Sequence, residues 1–146
     1  MKVLGDKSET YSKLLVVPPQ SKCVVFSIDG SFAASVSILG TDPRVRPAAV
    51  DVVRYWSDNG YLIMYISSRP DMQKNRVVQW LKQHNFPQGI CFFAKGITHD
   101  PYGRKGTMLK NIISSCKLEV QAVYGSSKDV PGRGRIMVHV ILLKYT

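Results

Sequence analysis

Alternation constrains this chain more than any other feature: short unbroken apolar runs are separated by stretches whose apolar residues recur at helical spacing. The runs are Val24 to Ile28, "YLIMYIS", "GICFFAK" and "LEVQAVYG". Continuous, β-branched runs of this length suit central strands of a parallel sheet. Between the first two, "RPAAVDVVRYWSDNG" brings Pro47 near a first helical turn, spaces Val50, Val53 and Trp56 helically, and closes on Asn59-Gly60. Such a segment starts and stops as a helix does. Next, "MQKNRVVQWLKQHN" sets Val77 and Val78 on one face with Leu81, and "KGTMLKNIISSC" pairs Met108 with Ile112 and Leu109 with Ile113. Strands alternating with helices predict right-handed crossovers and an α/β fold, a parallel sheet with helices on both faces.

Composition narrows the classes. With 146 residues, 45% of them hydrophobic and 21% charged, the chain suits one globular domain rather than two or a disordered tail. The formal net charge of +10 points to polyanions as partners: acidic membrane, phosphorylated ligands or nucleic acid. No apolar run approaches the roughly 20 residues of a spanning helix, and "MKVLGDKSETYSK" has no signal-peptide core, so membrane contact is expected to be peripheral. Cys23, Cys91 and Cys116 lack metal spacing and read as reduced, buried thiols of a cytoplasmic protein; His84, His99 and His139 show no ligand pattern. Pro18-Pro19 marks residues 1–22 as a linker or extension.

In a parallel sheet the carboxyl ends of the strands share one edge, where ligands bind. Polar punctuation falls there three times, as "SIDGS", "SSRP" and "GSSKD", and Lys105 opens the third helix. Asp29, Ser31, Ser67, Ser68, Arg69, Lys105, Ser126 and Asp129 are thereby gathered at one crevice. Hydroxyls, backbone N–H groups and cations in that arrangement hold phosphate. Each residue also has a plainer use: Asp29-Gly30 as a turn, Ser67 and Ser68 as caps, Arg69 in a structural ion pair with Asp71 or Asp58, Lys105 as a solvated lysine.

The order "SIDGS", "ISSRP", Lys105, "YGSSKD" resembles the four motifs of the haloacid-dehalogenase superfamily, in particular the lipin phosphatidate phosphatases. Longer strings, "DGSFAASVSILGTDPRVRPAAVDVVRYW", "SSRPDMQKNRVVQWLKQHNFP" and "GITHDP", resemble the C-terminal lipin-like domain of the membrane-associated phosphatidylinositol transfer (retinal-degeneration-B-type) family. The resemblance implies a haloacid-dehalogenase-like, Rossmann-type domain over 23–130. After Val130, "PGRGRIMVHVILLKYT" departs from the family's continuing helix and strand, so residues 131–146 are expected to be a divergent tail of an alternative or truncated end, with a marginally stable domain and an apolar edge.

By the same resemblance, the nucleophilic aspartate's place is taken by Ser27, while Asp29 stands at the acid's place and Ser31 at the hydroxyl's. A serine hydroxyl needs a base to attack and is a poor Mg²⁺ ligand. The fourth motif lacks its usual acidic residue, leaving Asp29 and Asp129 as carboxylates for a weak Mg²⁺ or Ca²⁺ that is not required. What is retained is the phosphate-holding part: Ser27, Asp29, Gly30, Ser31, Ser67, Ser68, Arg69, Lys105 and Ser126. The expected function is a pseudo-phosphatase that binds phosphatidic acid and directs a lipid-signalling protein to acidic membrane. Its expected place is peripheral on endomembranes or endoplasmic reticulum–plasma membrane contacts. The resemblance also implies calcium binding and a tyrosine-kinase partner elsewhere in such proteins. A weak Mg²⁺-dependent phosphatase and a protein-interaction module stay open as alternatives. Nucleic acid is not expected, since the charge is spread over helices without a reader motif.

Overall fold

The computed structural model describes residues 14–29, 32, 43–94 and 111–125. Among these the chain forms β1 (Lys22–Ser27), α1 (Ala49–Asp58), β2 (Leu62–Pro70), a 3₁₀ turn (Asp71–Gln73), α2 (Lys74–Gln83), β3 (Ile90–Ala94) and β4 (Glu119–Tyr124). Residues 111–116 are also helical. The strands make one sheet in the order β3-β2-β1-β4, every pair parallel. Successive steps from β1 to β2 to β3 run one way across the sheet, and the return to β4 passes back beyond β1. The two inner strands, β1 and β2, are therefore those buried most completely.

Side-chain alternation divides the sheet into two faces. Val24, Phe26, Ile63 and Tyr65 pack with Val53 of α1 and with Val77, Trp80 and Leu81 of α2. Cys23, Val25, Met64, Ile66 and Val120 lie on the other face with Ile113 and Leu118. Both faces being covered is why β1 and β2 read as unbroken apolar runs. Phe26, fully buried, stacks on Tyr124 at a centroid distance of 4.8 Å. Burial of a side chain of that size is worth about 1.5–3 kcal/mol.

Helix ends follow local chemistry. Gly60, at φ 82°, terminates α1: its N–H donates to the Ser57 carbonyl and the Tyr61 N–H to the Trp56 carbonyl. Asn85, at φ 59°, closes α2 in the same way, with donors Asn85 and Phe86 to the Lys82 and Leu81 carbonyls. This left-handed exit suits glycine and, next best, asparagine. Two indoles anchor the helices to what lies beside them. Trp56 Nε1 donates to the Tyr124 hydroxyl at 2.9 Å, and Trp80 Nε1 to the Pro43 carbonyl at 3.0 Å.

Three expectations change. The first strand begins at Lys22 and ends at Ser27, although the Ile28 N–H still donates to the Ile66 carbonyl. The second does not end before "SSRP" but extends to Pro70, because backbone pairing with β3 resumes there. Cys116 is exposed and Cys91 half-buried, so only Cys23 is the buried thiol expected of all three. Cys116 closes a helix whose core-facing positions are already taken by Ile112 and Ile113. Met108, Leu109 and the tail 131–146 lie outside the described residues.

Candidate functional site

Ser27 is the last residue of β1, and Ser67, Arg69 and Pro70 lie at the corresponding end of β2. Ser27 is paired with Ile66, so β2 runs four residues past the end of β1 and the turn after β1 meets those residues. The pairing of β2 with β3 runs regularly to Ser67↔Phe93 and then jumps to Pro70↔Ala94. Ser68 and Arg69 are thus spliced out of the ladder. Such irregularities bend a strand and re-aim its side chains.

Arg69 is turned back onto β1 by this means. Its Nε donates to Asp29 Oδ1 at 3.1 Å, and the Ser67 Oγ donates to Asp29 Oδ2 at 2.9 Å. The backbone N–H of Arg69 donates in turn to the Ser67 Oγ at 3.2 Å. One hydroxyl gives its proton to the carboxylate and accepts the N–H that the broken ladder leaves over, within its capacity of one donor and two acceptor sites. Ser67 is fully buried, and the side chains of Asp29 and Arg69 are 6% and 14% exposed. A carboxylate so buried is tolerated because it is paired and hydrogen-bonded.

Ser27 is half-buried, and its Oγ lies 3.5 Å from the Asp29 carbonyl oxygen, a long and weak contact. As metal donors, Ser27 and Asp29 fit poorly: one is a neutral hydroxyl, and both oxygens of the other accept hydrogen bonds from Ser67 and Arg69. Among the described residues no group of three or more His, Cys, Asp and Glu could hold a metal ion.

The structure brings together Ser27, Asp29, Ser67 and Arg69 of the residues singled out in the sequence. Gly30, Ser31, Lys105, Ser126 and Asp129 lie outside the described residues, and for Ser68 only the backbone, within β2, is described. Of the two ion pairs considered for Arg69, neither forms; its partner is Asp29. Nothing in the linear sequence announces that pairing, since the two residues are 40 positions apart and meet only because β1 and β2 are neighbours.

A parallel sheet with this strand order and a polar cluster at its carboxyl edge defines a doubly wound α/β domain, the fold that haloacid-dehalogenase-like proteins share. Solved structures share the fold at low identity. A HAD-like phosphatase of Mesorhizobium loti matches with TM-score 0.55 and 12% identity over 77% of this chain and 65% of that one. A chain of an RNA repair complex matches with TM-score 0.59 and 13% identity over 84% and 42%.

Sequence comparison is far more specific. The family model described as PITM 1-3, LNS2 domain matches residues 24–138, and the chain belongs to that family. It is similar to human membrane-associated phosphatidylinositol transfer protein 3, with 59% identity over 130 residues, and to the human protein 2 of that name, with 58%. Retinal degeneration B of Drosophila melanogaster is 53% identical over 130 residues. In each case 89% of this chain is covered, but the match spans only 13% or 10% of the relative's length. Among the described residues no helix is long and apolar enough to cross a membrane.

Proposed function

We propose that this chain is a non-catalytic domain that binds the phosphomonoester head group of phosphatidic acid and so recruits a phosphatidylinositol-transfer, lipid-signalling protein to acidic membrane. The observation that carries this reading is the state of the former catalytic pair. The place of the attacking carboxylate is held by Ser27, and Asp29, at the acid's place, accepts hydrogen bonds from Ser67 and Arg69. A general acid must present a proton to the leaving group. Both oxygens of Asp29 are instead engaged as acceptors. Serine, for its part, requires a base to attack phosphorus.

Head-group binding needs less. Hydroxyls, cations and backbone donors at the strand ends suffice, and in this reading Ser27, Arg69 and Lys105 supply them, with Gly30, Ser31 and Ser126 alongside. Ser67, expected from the sequence to touch the phosphate, is fully buried with its proton given to Asp29 and so serves from behind. No resident metal is required. The membrane-associated relatives and the basic excess support a peripheral site of action on a cytosol-facing, acidic leaflet.

Flotation with liposomes tests the reading, comparing phosphatidic acid with phosphatidylserine at matched charge. Preference for phosphatidic acid, reduced about tenfold or more in Lys105→Ala, is the expected result, since a charge-assisted contact is worth about 1.5–3 kcal/mol. Equal binding to both lipids would overturn it. So would phosphate release from phosphatidic acid that a chelator abolishes, the signature of a weak Mg²⁺-dependent phosphatase.

A further inference from the structure

Arg69 uses little of its hydrogen-bonding capacity within the protein. A guanidinium carries five N–H donors, one on Nε and four on the two Nη nitrogens. Among the described residues the side chain bonds through Nε alone, to Asp29, and neither Nη nitrogen has a hydrogen-bond or ion-pair partner. Only 14% of that side chain is exposed, so water is not a generous substitute. Leaving four donors of a largely buried cation without acceptors is costly unless an oxygen-rich anion visits.

The ring of contacts around it fixes where the fork sits. Asp29 holds Nε, Ser67 holds Asp29, and the Arg69 N–H holds Ser67. The guanidinium is tied at its inner edge at the carboxyl ends of β1 and β2, while the Nη edge, suited to parallel bonds with two oxygens of one phosphoryl group, stays uncommitted.

We infer that Arg69 is a bidentate ligand for a phosphoryl group and that Asp29 is its positioning residue, acting on the ligand only through Nε of Arg69. The inference rests on the phosphate-binding reading above and deepens it, by giving the former catalytic acid a new task. It also carries a counterintuitive sign. A carboxylate next to an anion site should repel the anion, so its removal should tighten binding if charge were all. Here removal frees the guanidinium to swing, and binding weakens.

The test is a double-mutant cycle on the full 146-residue chain, read by calorimetry with inorganic phosphate and by flotation with phosphatidic-acid vesicles. Thermal unfolding of every variant serves as the fold control. Arg69→Lys keeps the charge and a partner for Asp29 but cannot form the fork; it should lose about 10- to 100-fold in affinity. Asp29→Asn, whose amide oxygen still accepts from Nε, should bind within about threefold of wild type, and Asp29→Ala should lose about tenfold. Asp29→Ala should add nothing in the Arg69→Lys background, because its effect travels through the fork. Should Asp29→Ala fail to fold, Asn and Lys still decide the matter.

Unchanged binding by Arg69→Lys, or binding by Asp29→Ala as tight as wild type or tighter, would overturn the inference. Additive losses would do the same, showing that Asp29 touches the ligand itself. The two arms separate this inference from the reading beneath it. Phosphate binding that depends on Arg69 without any preference for phosphatidic acid would sink the lipid reading and leave the clamp standing. A phosphatidic-acid preference indifferent to Arg69 would do the reverse.

Discussion

Three uses compete for Arg69: a phosphate ligand, a surface ion pair and a strut inside the fold. The geometry makes it a strut by Nε and leaves the rest of the guanidinium for a ligand. A lysine could do one of these but not both, since its ammonium is a single point of charge. Cysteines show a parallel contrast of environment. Burial, with the Glu119 carboxylate adding to it, pushes the Cys23 thiol up from 9.0 to about 11. Burial, followed by Cys91, likewise pushes the Tyr65 phenol up. Since the folded-state value is the higher one, the stability Cys23 contributes is whole below pH 9 and is lost as pH rises through about 11. Wild type should therefore lose stability across that interval more steeply than Cys23→Ala, as followed by urea melts at stepped pH. At pH 8, alkylation followed by mass spectrometry should label exposed Cys116 first and Cys23 last.

Among the elements, β2 and β3 carry the tightest junction. A Cβ at Gly89 would lie 2.6 Å from the Ile63 carbonyl oxygen and 2.7 Å from the Tyr65 ring. Tyr65 cannot retreat easily, because its hydroxyl donates to the Pro87 carbonyl at 2.7 Å. Gly89→Ala should accordingly destabilise the domain by about 1–3 kcal/mol, seen as a lower urea midpoint at unchanged slope. Elements are also the scale at which the sequence was most informative. Val53, Val77 and Leu81 announce helices by their period, and Val24 to Phe26 a doubly buried strand by its lack of one, because burial on one stripe or on two faces leaves a local trace. The extension of β2 through "SSRP" was hidden. Its polar residues look like a loop, and only the resumed pairing of Pro70 with Ala94 keeps them in the strand. Of the site, the strand-end positions of Asp29 and Ser67 were legible, as they follow apolar runs directly. The Asp29–Arg69 contact was not, because it depends on which strands are neighbours and on a break in register, neither of which has a local signature.

At the scale of the whole molecule two kinds of attraction to membrane should separate. The net charge of +10 favours any acidic surface and acts through solvent, where ions at physiological strength screen it beyond about 8 Å. A head group held within the largely buried Asp29–Ser67–Arg69 cluster is screened much less. Raising salt should thus release the chain from phosphatidylserine vesicles while the extra affinity for phosphatidic acid persists. A difference that vanished with salt would reduce the interaction to diffuse charge.

The break in the β2–β3 ladder also bears on compliance. Residues that hold a sheet together usually cannot move without tearing it, and binding sites built on strands tend to be rigid for that reason. Ser68 and Arg69 have no pairing partner on β3, and the Arg69 N–H is tied to a side chain rather than to another strand. What steadies Arg69 is therefore less the ladder than the Asp29 carboxylate and the Ser67 hydroxyl, so its guanidinium is only as stiff as that pair of side chains and loosens when either is removed.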